Sequence, residues 1–182
     1  NYNGDYRYER NSSTSSSSSS AVGLRVGSIV ASGSQIRVEQ HSEVVLLFSN
    51  GTIATIGANT RMTVKEFQQE SFGRYDGNFS QEEEVSSSRL LLDLEAGDLV
   101  VDVKKLKRSS SFEVSTPLGT AGIRGTVFKI LSLAESTKLS VLTGRVDLRS
   151  AQEKVIPTTA NQSLFVQVDK EPQLGNLSDQ DN

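Results

Sequence analysis

The chain has 182 residues, 19 Lys and Arg against 22 Asp and Glu, a formal net charge of −3, and no cysteine. That balance gives no basic field for nucleic acid or an anionic membrane surface. The missing thiols exclude disulfides, thiol catalysis and a lipid-modified N-terminal Cys.

A hydrophobic share of 35% and 14 Gly against 3 Pro, with many Val, Ile and Thr, point to an all-β chain. Its many short strands suit a single solenoid-like or sandwich-like domain. No run approaches the roughly 18 to 20 apolar residues of a spanning helix, so no membrane insertion is expected. The chain starts at Asn1 without an initiator Met, which reads as a mature, secreted protein whose export signal has been removed.

Residues 1–9 alternate Tyr2, Gly4, Tyr6 and Tyr8 with Asn3, Asp5, Arg7 and Glu9, the period of a half-buried strand. Residues 11–20 contain only Asn, Ser and Thr and read as a flexible tether. A strand on a leash of about 35 Å extended reach suits transfer to a neighbouring subunit or return to its own domain. Together, residues 1–20 form an arm, 21–169 the β domain, and 170–182 a polar, frayed tail.

Within the domain, strands are expected at 24–30, 35–39, 43–48, 52–56 and 61–67. Asn50-Gly51 between two apolar runs is a strong hairpin signal, and Gly33-Ser34 and Gly57-Ala58-Asn59 mark further corners. Residues 68–88 read as an exposed insertion loop. Strands resume at 90–94, 99–103, 112–116, 126–131, 139–142, 146–148 and 164–168, with turns at Ala96-Gly97 and Thr143-Gly144.

The segment from Phe112 to Phe128, with Thr116-Pro117, Gly119, Gly122 and then Arg124-Gly125-Thr126 before the aromatic Phe128, resembles the signature of the FecR domain. Gly97-Asp98-Leu99, Val141 to Val146 and Leu46 to Thr52 are similar to flanking elements of that family, so the resemblance runs from about Leu24 to Val168. It implies an all-β, solenoid-like domain on the outer side of a bacterial cytoplasmic membrane. The best-known members are transmembrane regulators of iron-uptake signalling. The chain differs from them in having no transmembrane helix, cytoplasmic anti-sigma segment or following α/β lobe, and in its added arm.

The glycines at 119, 122 and 125 lack the spacing and the following helix of a phosphate loop, so they read as tight corners. Arg124 reads as a fixed structural contact to a carboxylate or to carbonyls, with a ligand anchor as the other option. His41 has no second His or Cys with which to form a metal site or triad. Asp93 with Glu95, and Asp98 with Asp102, share strand faces as solvated carboxylates. Residues 76–87 have alternate oxygen ligands but lack the Gly and Glu of a calcium loop.

These residues lead to a secreted, non-enzymatic protein without metal or cofactor, whose partner is itself. In that reading the Tyr arm is donated head-to-tail, building a surface filament. Glu82, Glu83 and Glu84 would meet Lys104, Lys105, Lys107 and Arg108 across subunits. The alternative is a periplasmic or surface domain of the FecR signalling type that senses a ligand or a partner.

Overall fold

The computed structural model describes residues 6–9, 22–72, 82–151 and 153–177. Tyr2, Gly4, the Ser tract and the first half of the loop weighed for calcium fall outside them, as do the side chains of Tyr6 and Tyr8. Fifteen strands and no helix make up the described residues.

The organising element is β7 (Ser88–Asp102), fifteen residues long. Its buried positions are Leu90, Leu92 and Leu94 in the first half and Leu99 and Val101 in the second, so the inward phase slips by one residue between them. The slip falls at Glu95, where Met62 faces Leu94 but Arg61 faces Ala96, two residues before Gly97 at φ 111°. Because side chains alternate strictly along a strand, such a bulge bends it and re-aims everything after it. The expected turn at Ala96-Gly97 is therefore a bend inside one strand, and β7 belongs to two sheets.

Its first half pairs with β6 (Thr60–Gln69) and, in parallel, with β8 (Ser111–Thr116). This first sheet continues on one side through β3 (Gln35–Val38), β1 (Tyr6–Glu9) and β2 (Val22–Gly23), and on the other through β9 (Gly119–Ile123), β12 (Arg145–Ser150) and β13 (Val155–Thr159). The second half of β7 pairs with β5 (Ile53–Ile56) and β10 (Val127–Ser132). That second sheet ends at β4 (Val44–Leu47) on one side and runs through β11 (Ser136–Thr143) and β14 (Gln162–Gln167) to β15 (Gln173–Asn176) on the other.

The chain crosses between sheets at Gly57–Asn59, Arg124-Gly125, Gly144 and Ala160-Asn161. Inward residues of both sheets form one core, and the Phe112 and Phe128 rings, centroids 6.3 Å apart, join β8 to β10 across it. The expected all-β class holds, in a sandwich closing toward a barrel.

Several expectations are corrected. Residues 24–30 are no strand: Ser28 N donates to Arg25 O at 2.9 Å around Gly27, φ 86°, and a left-handed residue ends an extended run. Strand β6 runs on through Gln68 and Gln69, which pair with Arg89 and Ser88 in place of opening a loop. Part of the tail forms β15.

The arm is the largest correction. Tyr6 and Tyr8 lie opposite Val38 and Ile36 of β3 in the same chain, and Tyr8 also faces Val22. The strand assigned for donation thus fills the edge beside β3 of its own sheet, and the tether length allows that return.

The charged runs likewise meet inside one subunit. Lys105 Nζ lies 2.5 Å from Glu83 Oε1, and Lys107 Nζ donates to Val85 O at 3.0 Å. Glu84 is buried and accepts from Ser88 Oγ at 2.7 Å, Lys107 N at 2.6 Å and Ser110 Oγ. The cause is the parallel run of residues 82–84 beside 103–107, which saturates these groups in cis. Glu82 and Arg108 stay exposed, and the Lys104 stem packs against Gly51.

Candidate functional site

The signature stretch builds β8, a tight turn, β9 and the corner into β10. Thr116 Oγ1 donates to Gly119 O at 2.9 Å, closing the turn that carries Pro117. A Cβ on Gly119 would stand 2.6 Å from Arg149 O, so β9 and β12 pack too closely there for any side chain. At the corner, Gly125 has φ 59° and crosses Lys105, while the buried Thr126 accepts from Val103 N at 3.0 Å. Phe128 is wholly buried.

Gly122 is different in kind. Its φ is not positive, and a Cβ built on it meets only Asp147 O at 3.7 Å. It faces outward on the first sheet, in a cross-strand row with Glu113 of β8 and Asp147 of β12. The lack of a side chain leaves a depression between those two carboxylates.

Two hollows flank that row and share it. One, about 450 Å³, is lined by Ser111, Glu113, Gly122, Arg124, Arg145 and Asp147. The other, about 430 Å³, is lined by Glu113, Thr120, Gly122, Asp147, Arg149 and Val155. Together they form an open trough floored by β9 and walled by β8 and β12.

Arg145 Nε donates to Asp147 Oδ1 at 2.8 Å, fixing one wall. Arg124 is exposed at the mouth and, among the described residues, takes part in no hydrogen bond or ion pair. A free guanidinium offers a planar fork of donors suited to carboxylates, phosphates or carbonyls. Glu113, Arg124, Arg145, Asp147 and Arg149 around a glycine floor give the trough charged groups of both signs.

Other candidates are dispersed. Asp93 lies 3.1 Å from Lys65, Glu95 3.6 Å from Arg61 and Asp98 3.6 Å from Lys129. His41 sits exposed on a turn with φ 62°. Among the described residues no group of three or more His, Cys, Asp or Glu is placed to hold a metal ion. Glu113, Arg145, Asp147 and Arg149 went unmarked in the sequence, since only the β8–β9 and β9–β12 registers bring them to Gly122.

Two crystal structures of a candidate anti-sigma factor from Parabacteroides distasonis, at 2.50 and 1.65 Å resolution, share the fold at TM-score 0.59 and 21% identity. Each match covers 78% of this chain and 59% of the solved one, so the chain spans under two thirds of that protein's length. No curated protein matches the chain. The family described as FecR protein matches residues 34–147, from the start of the β3 region into β12. With the cis-paired arm, this match overturns the filament reading and its head-to-tail self-partnering, because the family's known members are signalling regulators. The chain belongs to the FecR family.

Proposed function

We propose that this protein is a non-enzymatic sensing domain of the FecR type, placed outside the cytoplasmic membrane in the periplasm. It binds a partner protein or a ligand and relays that event toward transcription. Residues 21–169 form the sensing domain and residues 1–20 an arm, of which Tyr6–Glu9 pairs with β3.

The observation that carries this reading is the position of Arg124. The family signature holds it, without a partner, at the mouth of a trough floored by Gly122. A structural arginine would be expected to bond to its surroundings, whereas a recognition residue is left free until its partner arrives. The P. distasonis protein is named as a candidate anti-sigma factor, which supports the same direction of relay.

The test is transcript profiling of the native host with the gene deleted and then restored. A defined set of transcripts should change on deletion and return on restoration. Unaltered transcripts in conditions where the protein is expressed would overturn the signalling reading.

A further inference from the structure

The second sheet ends at β4, and that edge is bare. Phe48 N donates to Thr52 O at 2.9 Å, closing the β4–β5 hairpin. Bonded and non-bonded pairs alternate along an antiparallel ladder, and the register sets Leu47 opposite Ile53, Leu46 opposite Ala54 and Val45 opposite Thr55. Leu46 and Val44 therefore bond to β5. The N–H and C=O groups of Val45 and Leu47 point away from the sheet, where no described strand meets them.

The same two residues are apolar and exposed, Val45 at 59% and Leu47 at 54%, next to Ile53 at 39%. Natural proteins blunt such edges with Pro, charge, bulges or very short strands. Two other edges here follow that rule: β13 contains Pro157 and β2 has two residues. Strand β4 reads Val-Val-Leu-Leu and has no such device.

Glu43, just before β4, is exposed, and its side chain takes part in no ion pair or hydrogen bond among the described residues. Lys104, the neighbouring cation, packs its stem against Gly51 at the hairpin tip. Residues 42–50 contain no Lys or Arg, so a second β4 would offer Glu43 no cation, and charge favours a different partner.

We propose that β4 is the docking edge for an extended segment of a different protein, apolar at alternate positions and carrying Lys or Arg at the end that meets Glu43. The segment adds to the second sheet as a further strand. Main-chain bonds to Val45 and Leu47 supply affinity, the patch of Val45, Leu47 and Ile53 receives alternate side chains, and Glu43 selects a basic end. This inference goes beyond the sensing reading and uses no part of the trough.

The probe is an end-blocked peptide, Lys-Val-Thr-Val-Thr-Val-Lys, titrated into the full chain labelled with nitrogen-15 and observed by NMR. Saturable shifts should map to β4 and Ile53, and amide exchange at Val45 and Leu47 should slow by about tenfold at saturation. Exchanging the peptide's lysines for glutamates should weaken binding at least about fivefold. The double variant Val45→Lys, Leu47→Lys should lose binding and keep a folded spectrum. Should that variant unfold, the same peptide N-methylated at alternate amides serves as the control and should not bind the wild type. Absence of shifts, shifts mapping elsewhere, equal binding of the acidic peptide, or self-association through β4 would each overturn the proposal.

Discussion

Gly97→Ala puts a methyl group where two strands cross. The new Cβ would stand 2.5 Å from Thr60 Cα and 2.6 Å from Thr60 Cβ, and closer still to Thr60 Oγ1. Thr60 cannot step aside cheaply, because its hydroxyl accepts from Asp98 N at 2.9 Å and donates to Asp98 O at 3.3 Å. At φ 111° the backbone is also one that an L-residue rarely adopts. Conformational strain of about 1–2 kcal/mol and overpacking of about 1–3 kcal/mol together give a loss of about 2–5 kcal/mol. In a chain of this size that lowers the unfolding midpoint by about 4–20 °C. Gly122→Ala is the control, since its φ is not positive and its Cβ meets only Asp147 O at 3.7 Å; its stability should stay within about 0.5 kcal/mol of wild type. Urea unfolding followed by circular dichroism reads both. If Gly97→Ala were neutral, or the two variants equally harmful, the assignment of Gly97 as the bend that carries β7 between sheets would be wrong.

Glu84→Ala should cost about 2–4 kcal/mol in the same assay, because it leaves the Lys107 amide and the Ser88 and Ser110 hydroxyls without their acceptor in a buried setting. Phe128→Ala, which empties the space facing Phe112, should cost about 3–5 kcal/mol. The Lys105 ammonium, through its hydrogen bond and charge, holds the Glu83 carboxyl below the usual carboxylate value, and Glu83 in turn holds Lys105 above the usual lysine value. The pair's contribution is therefore present above the ordinary carboxylate range and lost as pH falls through the lowered Glu83 value. On the alkaline side it is complete below the ordinary lysine value and lost as pH rises through the raised one. Carboxyl NMR should show the Glu83 midpoint rising toward the ordinary value in Lys105→Ala; an unmoved midpoint would refute the pairing.

Local chemistry was legible in the sequence, and long-range register was not. Asn50-Gly51 announced its hairpin because the signal lies within the turn: Gly51 has φ 86°, and Asn50 Oδ1 accepts from Thr52 N at 3.0 Å. Leu90 to Leu94 and Leu99 to Val103 each read as a strand, yet the phase slip at Glu95 followed by Gly97 looks like a turn when only neighbours are considered. Strand β9 was invisible because Gly119 and Gly122 are poor strand formers; β8 and β12 on either side impose its extended form. Pro157 hid β13, which tolerates it at an edge. Of the trough, Arg124 stood out through its motif. Glu113, Asp147 and Arg149 did not, since more than thirty residues separate Glu113 from Asp147 and only pairing through β9 brings them together. The acidic and basic runs pointed toward each other, but only the parallel run of residues 82–84 beside 103–107 shows that they meet within one subunit.

The most direct measurement is the transcriptional response of the native host carrying Arg124→Ala in the otherwise unaltered gene. Arg124 is exposed and without a partner among the described residues, so the variant should accumulate normally and unfold within about 0.5 kcal/mol of wild type. Its transcript profile should nonetheless match that of the deletion strain. A full wild-type response from Arg124→Ala at normal abundance would show that the trough beside the family signature is not where this domain receives its signal.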